Sequence, residues 1–339
     1  MKPLHVHRVW ALGAGLSLLL SSVAGTGEYR IAFVVSQGIY VMNNRGSDIK
    51  RLTGDKMAVL VDGAWSPDGQ RIMFFALRKE DANLGQKYNI PFHFPMYVMN
   101  ADGSNQTRLL EVPVLPDAKW SPNGTSILFS SAYEASSSED PQSAVYLLDL
   151  ATGKHRRLTN LPDASDASWS PDGTRVVLSA KSGESREIYV MNVDGTNQKQ
   201  LTKLGMAAVN PVWSPDARRI AFVADGWFIM DANGANQRRV SQLEASKVEW
   251  APDGKHLLVI GQGGAYVCEA GGANGKGIAQ GHGRLIDAVF SPDARSVILR
   301  SHAGENDTIY ISNIDGSNLR ALNRHVGEHV LFAVSPISR

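Results

Sequence analysis

One tripeptide recurs along this chain, and its spacing constrains the fold more than any other feature. Trp-Ser-Pro or a close variant begins at Trp65, Trp120, Trp169, Trp213, Trp250, Phe290 and Val334, seven copies separated by 55, 49, 44, 37, 40 and 44 residues. A period of this size marks one supersecondary unit that cannot bury its apolar face alone and must stack on copies of itself.

The interior of each period reads as antiparallel strands. A β-branched and aromatic run follows each motif, as in Ile72 to Ala76, Ile127 to Ser131 and Val176 to Ala180. A second run such as Ile188-Tyr189-Val190-Met191 comes next, then a short one such as Arg157-Leu158-Thr159. Asp68-Gly69, Asn123-Gly124 and Asp172-Gly173 punctuate the first turn, and Asp102-Gly103, Asp194-Gly195 and Asp315-Gly316 the last. Asx-Gly pairs supply the positive φ angles that tight hairpins need. Counting the segment that ends in Trp, each unit holds four strands, which is the content of a propeller blade.

The chain ends complement each other. Ile31 to Val35, Ile39 to Asn43 and Arg51-Leu52-Thr53 form a unit that lacks its first strand, and His329 to Pro336 is a first strand without a unit. Together they predict an all-β, seven-bladed propeller closed by pairing of the C-terminal strand with the N-terminal blade, which leaves no open edge.

Residues 1–24 read as a signal peptide: Lys2, His5, His7 and Arg8 precede an apolar stretch from Val9 to about Leu20, and Ser22-Val23-Ala24 suits a signal peptidase. The stretch is shorter than the roughly 20 residues that span a bilayer, so no stable membrane span is expected after its removal. Residues 25–339 are then one propeller domain, periplasmic or secreted and expected to be monomeric. The 34 Lys and Arg balance 33 Asp and Glu, so no overall field draws the chain to nucleic acid. Cys268 is the single cysteine, which excludes an intramolecular disulfide and a thiolate-rich zinc site.

Trp65-Ser66-Pro67-Asp68-Gly69, Ile188-Tyr189-Val190-Met191-Asn192 and Arg157-Leu158-Thr159 together resemble the TolB-like, or WD40-like PD40, propeller repeat, and the likeness covers residues 31 to 336. The resemblance implies a rigid binding platform, since such propellers act mostly as scaffolds and occasionally as enzymes. It departs from TolB itself, which places an α/β domain before six blades.

Two features of one propeller face are candidate sites. Three residues before each Trp-equivalent stand Asp62, Asp117, Asp166, Asn210, Lys247, Asp287 and Val330. Four carboxylates ringing one channel mouth would favour a partner's Lys or Arg, or a divalent cation such as calcium. The competing expectation is that each Asp bonds the backbone of its own inter-blade turn. The second feature is a pair of insertions, Leu77 to Pro95 with Tyr88, Phe92, His93 and Phe94, and Ala132 to Ala144 with Tyr133. Long loops on a rigid scaffold commonly carry binding. His282, His302, His325 and His329 gather in the last blades but match no catalytic or metal-ligand spacing. The expectation is therefore a non-catalytic scaffold without a cofactor, binding a protein or peptide in the cell envelope. The alternative is a metal-dependent lyase or lactonase-like propeller enzyme acting on a carbohydrate or small molecule.

Overall fold

In the computed structural model, the described residues are 28–35, 38–54, 57–78, 94–112, 114–133, 142–242, 245–261, 264–279, 281–303, 306–326 and 332–334. They form seven four-stranded antiparallel sheets. The first blade combines β1 (Arg30–Val35), β2 (Gly38–Asn43) and β3 (Lys50–Arg51) with β28 (Phe332–Val334). The second runs β4 (Met57–Trp65), β5 (Arg71–Arg78), β6 (Met96–Asn100), β7 (Thr107–Arg108), and the third β8 (Lys119–Trp120), β9 (Ser126–Ser131), β10 (Ala144–Asp149), β11 (His155–Arg157). The fourth holds β12 (Ser165–Trp169), β13 (Arg175–Ser182), β14 (Ser185–Asn192), β15 (Lys199–Gln200), and the fifth β16 (Val209–Trp213), β17 (Arg219–Ala224), β18 (Gly226–Asp231), β19 (Arg238–Ser241). The sixth is β20 (Ala245–Trp250), β21 (His256–Gly261), β22 (Gly264–Glu269), β23 (Lys276–Ile278), and the seventh β24 (Arg284–Phe290), β25 (Ser296–Ala303), β26 (Asn306–Asn313), β27 (Arg320–Val326).

The last strand joins the first sheet, with Val334 opposite Ile31, Ala333 opposite Ala32 and Phe332 opposite Phe33. One apolar cluster runs through that junction, uniting Ile31 and Phe33 of the first blade with Trp65 and Phe74 of the second and Val289 and Ile298 of the seventh. Arg320 of the seventh blade donates to the Asn44 carbonyl of the first. The second strand of each blade is nearly all apolar and buried, as Ile72 to Ala76 and Val176 to Ala180 show, because it is covered on both faces by neighbouring blades.

The repeated motif is a closed hydrogen-bonded turn. Ser66 Oγ donates to Asp68 Oδ1 at 2.5 Å and accepts from the Arg71 backbone N–H at 2.9 Å, and Asp68 Oδ1 accepts from Gln70 N–H. Ser170 with Asp172 and Ser214 with Asp216 repeat the arrangement. In the first and fourth blades a closing Thr works similarly: Thr53 Oγ1 accepts from Ile39 N–H and Thr202 Oγ1 from Ile188 N–H, pinning the short fourth strand. Each Trp is buried between blades, and Trp120 Nε1 donates to the Ala64 carbonyl of the preceding one.

Candidate functional site

Antiparallel alternation puts the connection between second and third strands on the same face as the entry to each first strand. The first strands lie nearest one another, β8 against β12, β12 against β16, β16 against β20 and β28 against β4, and so line the centre. A register shift falls at or beside the residue three before Trp in β4, β12, β16, β20 and β24. Such bulges re-aim a side chain. Asp166 and Asn210 occupy left-handed backbone there, with φ of 56° and 53°, a conformation that Asp and Asn tolerate.

These positions form a belt that links neighbouring blades. Asp117 accepts from the Ser130 N–H of its own blade and, through Oδ2, from the Asp166 N–H of the next at 3.3 Å. Asp166 Oδ2 in turn accepts from Ser179 Oγ at 2.7 Å. Asn210 Nδ2 donates across the next seam to the Ser246 carbonyl. Lys247 then reaches into the seventh blade, with Nζ 3.0 Å from Asp287 Oδ1 and 3.1 Å from the Ala288 carbonyl. Asp62 lies on β4 opposite Phe75, and its side chain is outside the described residues.

Among the described side chains, Asp117 and Asp166 are brought together as a close pair. The Asp117 residue is half-buried, but its carboxyl group is withdrawn from solvent, and burial, with Asp166 adding to it, pushes its pKa up to about 6. Asp287 is compensated by Lys247. Among the described residues no group of three or more His, Cys, Asp or Glu is arranged to hold a metal ion.

The described ends of the two insertions are tied to their blades. Phe94 is half-buried and forms an antiparallel bridge with Val114, tying the end of one insertion to the entry of the third blade. Tyr133 packs 5.1 Å from the Tyr146 ring and its hydroxyl lies 3.0 Å from His155 Nε2, which anchors the start of the other. Tyr88, Phe92 and His93 fall outside the described residues.

Sequence reasoning missed two buried charge clusters. Glu187, 2% exposed, accepts from Thr202 Oγ1 and from the Leu204 and Gly205 N–H groups, clamping the loop into the fifth blade. Asp307, also buried, lies 2.8 Å from Arg300 Nε and 2.7 Å from His302 Nδ1. His302 lies within β25, directly opposite Asp307 on β26. The signal for both was a charged residue inside an apolar strand run. Cys268 is buried on β22, and burial raises its thiol to about 11, away from nucleophilic chemistry.

Seven four-stranded antiparallel blades define a β-propeller, with polar side chains bridging several of its inter-blade seams. The PD40 family, described as the TolB beta propeller domain, matches residues 84–270, more than half of the chain, and the chain belongs to it. It is similar in fold to TolB from Acinetobacter baumannii, with a TM-score of 0.57 at 18% identity over 91% of this chain and 67% of that one. It is also similar to an oligogalacturonate lyase in complex with manganese, with a TM-score of 0.63 at 15% identity over 81% and 82% of the two chains. The uncharacterized peptidase YuxL of Bacillus subtilis (strain 168) is 23% identical over 133 residues, which is 38% of this chain and 20% of that relative's length. The chain thus spans only about a fifth of that relative.

Proposed function

We propose that this chain is a non-catalytic, protein-binding scaffold of the cell envelope, exported to the periplasm or secreted and working as a monomer without a cofactor. Its partner is a protein or peptide held over the loop-rich face of the second and third blades. One observation carries this reading. The connection between second and third strands is 17 residues in the second blade (79–95) and 12 in the third (132–143), whereas each of the other five is one or two residues. The length is concentrated on adjacent blades and on one face, as expected for binding loops grafted on a repeat scaffold. On this reading the aromatic contacts are Tyr88, Phe92, His93, Phe94 and Tyr133, and the polar contacts at the channel mouth are Asp62, Asp166, Asn210 and Asp287, while the withdrawn Asp117 carboxyl holds Asp166 through its backbone N–H.

The fold likeness to TolB supports an envelope setting, and no helix among the described residues is long and apolar enough to cross a membrane. The test is recovery of partners from envelope fractions by the mature chain and by a variant in which 80–92 and 134–141 are each replaced by a two-residue turn. A partner retained by the first and lost by the second supports the scaffold. The enzyme alternative predicts the reverse: stoichiometric metal in the purified protein, lost on combining Asp117→Asn with Asp166→Asn, and no partner recovered.

A further inference from the structure

The seam between the sixth and seventh blades differs in kind from the other described seams. Two carboxylates share one cation: Lys247 Nζ lies 3.0 Å from Asp287 Oδ1 with hydrogen-bond geometry and 3.3 Å from Glu249 Oε2 without it. The Lys247 and Glu249 side chains are 7% and 9% exposed, and Glu249 Oε2 has no hydrogen-bond partner. With both acids ionised the cluster carries an uncompensated negative charge out of water, which is costly. With Glu249 protonated, Lys247 and Asp287 remain as a neutral pair and the carboxylic acid becomes a hydrogen-bond donor.

Few other charges act there among the described residues. Arg219 of β17 stacks 4.8 Å over Trp250, which points to the opposite side of β20 from Glu249. His256 of β21 lies beside Asp253, and Arg300, opposite Asp287 across β24 and β25, is bound to Asp307. Asp231 of β18 holds Asn236, and Arg284 at the start of β24 is exposed opposite His302. β16 carries no titratable residue. Consistent with this, burial pushes Glu249 up to about 7, with Lys247 opposing and Asp287 reinforcing the shift.

We propose that this seam is a pH-sensitive joint, in which proton uptake by Glu249 tightens the docking of β20 against β24 and proton release loosens it. The group's proton affinity is higher folded than unfolded, so the stabilisation is complete below the ordinary carboxylate range and is lost as pH rises through about 7.

Hydrogen exchange of the full chain at pH 5.5 and pH 8, corrected for intrinsic rates, tests the joint. Peptides covering 245–250 and 284–290 should lose protection by about tenfold or more at the higher pH, because a tenfold difference in proton affinity between the closed and the open seam becomes a tenfold change in the opening equilibrium. Strands β17 and β18 should change less. Glu249→Gln should abolish the local difference and leave any change around Asp117 intact. Asp287→Asn keeps Lys247 for Glu249 alone and should move the midpoint to lower pH, so it reads the joint even if the first variant folds poorly. An unchanged local pH response in Glu249→Gln, or an unmoved midpoint in Asp287→Asn, overturns the proposal.

Discussion

The Arg71 guanidinium lies 4.8 Å from the centre of the Trp120 ring and donates to the Gly124 carbonyl at 2.8 Å, so one side chain of the second blade clamps two elements of the third. Arg30 with Trp65, Arg175 with Trp213 and Arg219 with Trp250 repeat the stack at 4.5 to 4.8 Å. Replacing Arg71 by Ala removes a partly desolvated cation–π contact and a charge-assisted hydrogen bond, for a loss of about 1–3 kcal/mol. Urea unfolding should show this, and Arg71→Lys should recover only part, because an ammonium cannot stack and donate as a planar fork does.

Two blades carry a built-in strain. The turn after the Trp motif ends in Gly69, Gly124, Gly173 and Gly254, all with φ near 68°, but in the fifth and seventh blades Ala217 and Ala294 hold the same left-handed conformation at 57°. Ala217→Gly should therefore raise stability by about 0.5–1 kcal/mol, with the greater backbone entropy of unfolded Gly offsetting part of the relief. A fall in melting temperature would show that the Ala methyl contributes more packing than its backbone costs.

Asp117 should make stability pH-dependent in a defined direction. Its carboxyl is raised from 3.8 to about 6 by burial and by Asp166, so the folded chain binds the proton more tightly than the unfolded one. That contribution is full below pH 3.8 and lost as pH rises through about 6. Asp117→Asn should flatten the profile in this window, as measured by chemical denaturation from pH 4 to 7.5. An unchanged slope would mean that the Asp117 carboxyl is solvated.

Glu187 is the counterpart case, a buried carboxylate fully engaged by donors. Glu187→Ala leaves the Leu204 and Gly205 N–H groups and Thr202 Oγ1 without it, and a cost of about 3 kcal/mol or more is expected. Proteolysis should then nick the 203–208 connection first, which provides a readout separate from global unfolding.

The architecture was legible because the repeat encodes it redundantly. Trp65 through Val334 fix the blade count, Asx-Gly pairs fix the hairpins, and the unpaired ends at Ile31 and Val334 indicate how they meet. The site was legible only as positions. Nothing in the spacing of Asp117 and Asp166 reveals the bulge at Asp166, whose N–H meets the Asp117 carboxylate, because a bulge depends on cross-strand register. Lys247 was visible as a departure from the acidic series, but its pairing with both Glu249 and Asp287 required the seam between two blades that the sequence separates by 40 residues.

The central claim is that the face bearing the second- and third-blade insertions holds a protein partner, and the most direct measurement is calorimetric affinity for the partner recovered from envelope fractions. The chain with 80–92 and 134–141 shortened should bind about 30-fold or more weakly, equivalent to at least about 2 kcal/mol, while its melting temperature stays close to that of the intact chain. Equal affinity in the two proteins would place the binding surface elsewhere and contradict the account.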